Sequence, residues 1–137
     1  MQFFIKHDLP KSTYQSGNTI LKTKDGRYFV GKNNKGKALQ KELSLLLKKY
    51  APPHPIDGAL SVSILYYRRH KKTETKANRA ISPLPIVTRP DSDNLAKGIL
   101  DAMQATGFFK DDAQVADLHI VKAYHQNYGL GIQIQKM

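Results

Sequence analysis

The segment between Pro90 and Gly107 limits what this chain can fold into more than any other. Leu95, Ile99, Ala102 and Met103 recur at helical spacing on one side, while Asp93, Lys97 and Asp101 stand at i, i+4 and i+8 on another. Pro90 favours extended backbone at Arg89, Asp91 or Ser92 can cap a first turn, and Gly107 suits the end of a last one. The pattern predicts a helix over 92–106 with two faces of opposite character. Such a helix must bury its Leu–Ile side against other elements and keep its charged side outward.

The rest of the chain offers a sheet for that apolar side. Leu60, Val62, Ile64 and Tyr66 alternate with Ser61 and Ser63, which predicts a strand over 59–67 with one buried face. Leu130, Ile132 and Ile134 alternate in the same way in a strand over 128–135, preceded by a strand over 114–124, with Asn127 and Gly129 suited to a connecting turn. Residues 2–7 read as a first strand and 8–17 as a loop. Lys24-Asp25-Gly26 carries the turn signal of a short hairpin over 19–30. Leu39, Leu43, Leu46 and Leu47 give one face of a helix over 38–51, which Pro52-Pro53 stops. Residues 68–89 open on Arg68-Arg69-His70-Lys71-Lys72, stay polar, and read as a long mobile basic loop ending in an extended arm. The expected architecture is a single α+β domain over 1–137: a small mixed or antiparallel sheet packed with two main helices.

Charge is divided unevenly along this framework. Residues 1–90 hold 18 Lys+Arg against 5 Asp+Glu, or +13, whereas 91–137 hold 4 against 6, or −2. The whole chain carries a net charge of +11, which points to a polyanionic partner, nucleic acid first and an anionic membrane surface second. With no cysteine, disulfides, thiolate zinc sites and a cysteine nucleophile are excluded. The N-terminus is too short and charged for a signal peptide, and no apolar run reaches the ~20 residues of a membrane span. The expectation is a soluble, cytoplasmic protein with no membrane partner.

The acidic residues of the second part are all Asp: Asp91, Asp93, Asp101, Asp111, Asp112 and Asp117. Taken singly, Asp91 is a helix cap and Asp93 a complement to the helix dipole. Lys97 has an equally plain role as an intrahelical partner of Asp93 or Asp101. Taken together, carboxylates from the helix and from the strand after it can meet in one pocket if the two elements pack side by side. Gathered like charges need a cation, and Mg²⁺ takes one or two carboxylates plus waters and substrate phosphate. Such a site serves phosphodiester hydrolysis, with Lys97 placed to counter charge on the scissile phosphate. The five histidines, His7, His54, His70, His119 and His125, show no ligand spacing and read as structural or surface residues.

The segment from Asp91 to Met103, followed by Gly107-Phe-Phe-Lys-Asp-Asp-Ala-Gln-Val-Ala-Asp-Leu, resembles the RusA family of Holliday-junction resolvases, small phage-derived endodeoxyribonucleases. The shared pattern is D-x-D-N-x-x-K-x-x-x-D-A, a short gap, then G-x-x-x-D-D-x-Q-V-x-D. It runs from Asp91 to about Lys122, roughly a quarter of the chain. The resemblance implies metal-binding carboxylates at Asp91, Asp93 and Asp112, with Asp111 the alternative to Asp112, and a catalytic lysine at Lys97. Asn94, Asp101, Gln114 and Asp117 also match, as supporting or structural residues. The implied cofactor is Mg²⁺, with Mn²⁺ expected to substitute, and the implied assembly is a dimer. Thr88-Arg89-Pro90 stands where some members have a basic run, which is here displaced to Arg68–Lys72.

Two symmetric cuts in a four-way junction require two carboxylate clusters, hence a C2 homodimer on branched DNA, in recombination and repair. The phosphates call for a broad basic surface, for which Arg68, Arg69, Lys71, Lys72, Lys76, Arg79 and Arg89 are candidates. Phe108 and Phe109 are either a wedge into the junction or core and dimer contacts. The competing readings are a non-catalytic phage DNA-binding protein, whose acids only cap and pair, and a nuclease of the same fold acting on flaps or other branched DNA.

Overall fold

The computed structural model describes residues 1–11, 18–32 and 34–137. Residues 12–17 of the expected first loop therefore lie outside the described residues. In chain order the elements are β1 (Gln2–Ile5), β2 (Asn18–Lys22), β3 (Tyr28–Lys32), α1 (Asn34–Lys48), β4 (Leu60–Arg68), α2 (Lys76–Ala80), β5 (Leu84–Pro85), α3 (Ser92–Ala105), a single 3-10 turn at Asp112–Gln114, β6 (Val115–Tyr124) and β7 (Gly129–Lys136).

β4 lies at the centre because both its edges are paired and one of its faces is fully buried. Leu60, Val62, Ile64 and Tyr66 point into the core. Ser61 and Ser63 alternate onto the other face, where Ser61 Oγ donates to Asp117 Oδ2 at 2.7 Å. β6 runs parallel to β4 on one side and β7 antiparallel on the other, giving a five-stranded mixed sheet in the order β1-β7-β4-β6-β5. α1 and α3 cover the apolar face: Leu47, Leu95, Ile99 and Met103 share one core with Ile64, Leu130 and Ile132. The protein is thus a mixed α+β domain, with a short third helix, α2, beside the two expected. Among the described residues no helix is long and apolar enough to cross a membrane.

The helix ends follow local rules. α3 closes with Gly107 at φ 89°, Gly107 N–H donating to Gln104 and Phe108 N–H to Met103. That paired arrangement needs a left-handed residue, which glycine adopts without a Cβ penalty. It turns Phe108 and Phe109 inward, where they are 0% and 1% exposed. Both are core residues, and Phe108 also stacks on Phe3; the wedge role fails because neither ring reaches the surface. α1 starts a turn earlier than its leucine pattern predicts and ends at Lys48, before the Pro52-Pro53 block.

The strand order sets the connections. β6 and β7 are consecutive in sequence but not neighbours in the sheet, because β4 lies between them. The connection instead crosses the end of β4, where His125 N–H donates to the Arg68 carbonyl at 2.9 Å. Residues 68–89, expected to be a loop ending in an extended arm, carry α2 and β5: Thr75 caps α2, Arg79 donates to the carbonyls of Lys71 and Lys72, and β5 pairs with Tyr124 and Ala123 of β6. Arg68 is not an open cation at all. It is the last residue of β4, 6% exposed, with its guanidinium 5.5 Å over the Tyr124 ring.

Candidate active site

Asp91, Asp93 and Lys97 all stand at the N-terminal end of α3, and all three are exposed. Asp91 occupies the N-cap position with extended backbone, yet its side chain makes no capping hydrogen bond. Its carboxylate is therefore not committed to the helix, and the plain capping role is not the one it plays. Asp93 stands in the first turn. Lys97 follows one turn on, so its ammonium shares a side of the helix with the Asp93 carboxylate.

A residue that sequence reasoning passed over sets the position of Asp91. Lys122 Nζ donates to the Thr88 carbonyl at 2.8 Å and to the Pro90 carbonyl at 2.7 Å. The two bonds straddle Arg89 and hold the chain just before α3 starts. Lys122 pairs with Tyr66 across the sheet, on the face that carries the core. The signal was present: in Leu118, Ile120, Lys122 and Tyr124 a lysine occupies a position where the alternation asks for an apolar residue. A half-buried ammonium there needs acceptors, and backbone carbonyls supply them.

Asp111 and Asp112 separate cleanly. Asp111 Oδ1 accepts from Ala113 N–H at 2.9 Å, and Gln114 Oε1 accepts from Lys110 and Asp111 N–H. This is a capping box on the 3-10 turn. Gln114 Nε2 also donates to the carbonyls of Ile56 and Gly58, pinning the turn to the segment before β4. The D-D-x-Q spacing thus has a local structural cause, and it engages Asp111. Asp112 is held through its backbone, its N–H donating to Gln104 Oε1 at 3.1 Å.

That last bond places Asp112 at the far end of α3. From Asp93 to Gln104 the helix advances about 16 Å at its usual rise. From Val115, beside the turn, to Lys122, which holds Pro90, β6 advances about 23 Å. Helix and strand do pack side by side, as expected, but they run in opposite directions, so their acidic ends do not coincide. Among the described residues no group of three His, Cys, Asp or Glu side chains could hold a metal ion. Asp117 is elsewhere again, on the open sheet face with Ser61. Asp101 is half-buried further along α3.

The remaining basic candidates lie at the Asp91 end. Arg69, Lys71, Lys72, Lys76, Arg79 and Arg89 are exposed on the segment that leads into α3. Arg69 Nη2 donates to the Tyr128 hydroxyl at 2.9 Å, and that bond raises the guanidinium's already high pKa. His70 stacks on Tyr124, in the same aromatic column as Arg68 and Lys71. The two carboxylates of Asp91 and Asp93 are hard oxygen donors of the kind Mg²⁺ takes with water and phosphate making up its shell, so the residues present fit that ion.

A basic α+β domain that presents two carboxylates and a lysine beside a cationic segment is the build of a nucleic-acid-processing protein. The comparisons narrow the class. Residues 10–135 match the family model of endodeoxyribonuclease RusA, and the chain belongs to that family. It is 25% identical over 121 residues to the crossover junction endodeoxyribonuclease rusA of Enterobacteria phage HK97, covering 88% of this chain and 86% of that one. It is 28% identical over 121 residues to the uncharacterized protein YqaN of Bacillus subtilis (strain 168), covering 83% of each.

Proposed function

We propose that this chain is a Mg²⁺-dependent, structure-selective endodeoxyribonuclease that resolves four-way DNA junctions by paired symmetric cuts, in recombination and repair in the cytoplasm. The observation that carries this is the end of the molecule where a cationic segment runs straight into Asp91, Asp93 and Lys97. The cationic residues hold the phosphate backbone without regard to sequence. Asp91 and Asp93 would supply oxygen ligands for the metal. When bound, Mg²⁺, or Mn²⁺ in its place, would lower the pKa of water for attack and stabilise the leaving oxygen. Lys97 offsets the charge that builds on the scissile phosphate.

The active unit is a homodimer, and the position of Asp112 supports this. One chain cannot bring Asp112 to Asp91 and Asp93, whereas a second copy running antiparallel can. β5 pairs with β6 only at Ala123 and Tyr124. This leaves the β6 edge from Val115 to Val121 without a neighbouring strand among the described residues, Ile86 N–H taking the Lys122 carbonyl. Two such edges meeting antiparallel about a two-fold axis near Leu118 would set Val115 of one copy opposite Val121 of the other. Asp112 of each copy would then lie beside the Asp91–Asp93 pair of the other, forming two equivalent sites.

The test is cleavage of a synthetic four-way junction with and without Mg²⁺, beside Asp93→Asn. The unmodified protein is expected to cut only with the metal, and the variant to bind the junction without cutting. Equal cutting by both proteins would remove Asp93 from the site. Preference for a flap over the junction in the same assay would reassign the substrate.

A further inference from the structure

β2 and β3 form a two-stranded sheet of their own, with Ile20 opposite Val30, Leu21 opposite Phe29 and Lys22 opposite Tyr28. A hairpin alone is marginal in water, and polar side chains are the usual covering for one that stands away from a core. This ribbon has the reverse. Ile20 is 73% exposed, Val30 69% and Tyr28 69% on one face, with Leu21 and Phe29 about half exposed on the other. Its turn is nevertheless well made: Thr23 and Arg27 exchange hydrogen bonds, and Gly26 takes the positive φ of 89°. A well-formed ribbon with uncovered apolar faces is a surface awaiting a partner.

The charge on the ribbon selects the partner. Lys22, Lys24 and Arg27 stand against Asp25 alone, and Asp25 already has Arg27 at 3.7 Å. Lys22 Nζ sits 5.7 Å from the centroid of the Tyr28 ring. Aromatic and aliphatic side chains interleaved with cations suit nucleic acid, whose bases stack and whose phosphates attract. A second copy of the same ribbon would set these uncompensated cations against their own kind. The ribbon is also rooted at the right end. Pro10, before it, and Leu39, after it, line a common cavity with Asn94 and Leu95 of α3, next to Asp93.

We propose that the β2–β3 ribbon is a DNA arm whose Ile20–Tyr28–Val30 face packs on bases unstacked at the branch point, with Lys22, Lys24 and Arg27 against the flanking phosphates. This rests on the branched-DNA reading above and assigns the branch contact within it. The three apolar side chains are exposed, so replacing them leaves the core intact. The experiment measures equilibrium binding in EDTA to a four-way junction carrying 2-aminopurine at the branch, and to a linear duplex of the same sequence. The proteins are the unmodified chain, Tyr28→Ala, and Ile20→Ser with Val30→Ser. Junction affinity is expected to fall roughly tenfold or more in each variant, as stacking contacts imply, with duplex affinity within about twofold and the 2-aminopurine change lost. Unchanged junction affinity overturns the proposal, as does an equal loss on both DNAs. A shift of the variants to monomer in sedimentation also overturns it, making the ribbon a subunit arm. If the unmodified protein itself shows no junction preference, the branched-DNA reading fails first and takes the proposal with it.

Discussion

Mixing two inactive variants should restore cutting. Asp93→Asn damages the α3 end of the site and Asp112→Asn the turn at the opposite end. The bond from Asp112 N–H to Gln104 puts that turn about 16 Å along α3 from Asp93, whereas metal ligands must lie about 2.1 Å from a shared Mg²⁺. Each site of a dimer would therefore draw Asp91 and Asp93 from one copy and Asp112 from the other. In a mixed dimer both substitutions fall in one site and the second site is whole. Random exchange of equal amounts makes about half of the dimers mixed, so about a quarter of the sites are intact. The assay is nicking of a labelled junction after co-refolding the two variants, each of which is inactive alone. Nicks in one strand at about a quarter of the parental rate, with paired cuts largely absent, are expected. If the mixture stays as inactive as its components while size-exclusion analysis shows mixed dimers, the carboxylates do not act across copies and the reasoning is wrong.

Lys122→Met should cost about 2 kcal/mol of local stability through the two lost charge-assisted bonds; it should weaken cutting and raise the Mg²⁺ needed while leaving junction binding nearly unchanged, with partial recovery in Lys122→Arg. Identical Mg²⁺ titrations for the parent and Lys122→Met would remove it as the residue that positions Asp91. Asp111→Ala should lose about 1 kcal/mol as a missing cap and keep its cutting activity, whereas Asp112→Ala should keep its melting temperature and lose cutting. The reverse outcome would exchange the two assignments. Phe108→Ala should destabilise the fold by about 3–5 kcal/mol in urea denaturation, since the ring is fully buried; a surface wedge would show almost no stability loss and a defect in junction binding instead.

The segment at 68–89 illustrates where local patterns stop short. Its composition is that of a flexible basic stretch, and nothing local announces that Leu84 and Pro85 will pair with β6. Arg68 belongs to the same run of cations in sequence, yet the strand register turns it into the core side of the sheet, where Tyr124 receives it. The open side of that register carries Arg69 outward to Tyr128. One residue of alternation separates a buried cation from a surface one.

The sequence by itself determined the helix at 92–105 and its two faces, the alternation of β4, the hairpin turn at Gly26, and the grouping of Asp91, Asp93 and Lys97. All of these depend on spacings within a few residues, where the period of helix or strand settles which side chains share a face. Only the tertiary structure decided that β7 lies between β1 and β4, that Lys122 anchors the approach to Asp91, that Asp111 caps the 3-10 turn, and that Asp112 lies at the far end of α3. These depend on which strand pairs with which and on the opposed directions of α3 and β6. The pairing energy of a strand comes from residues distant in sequence, so no local period records it.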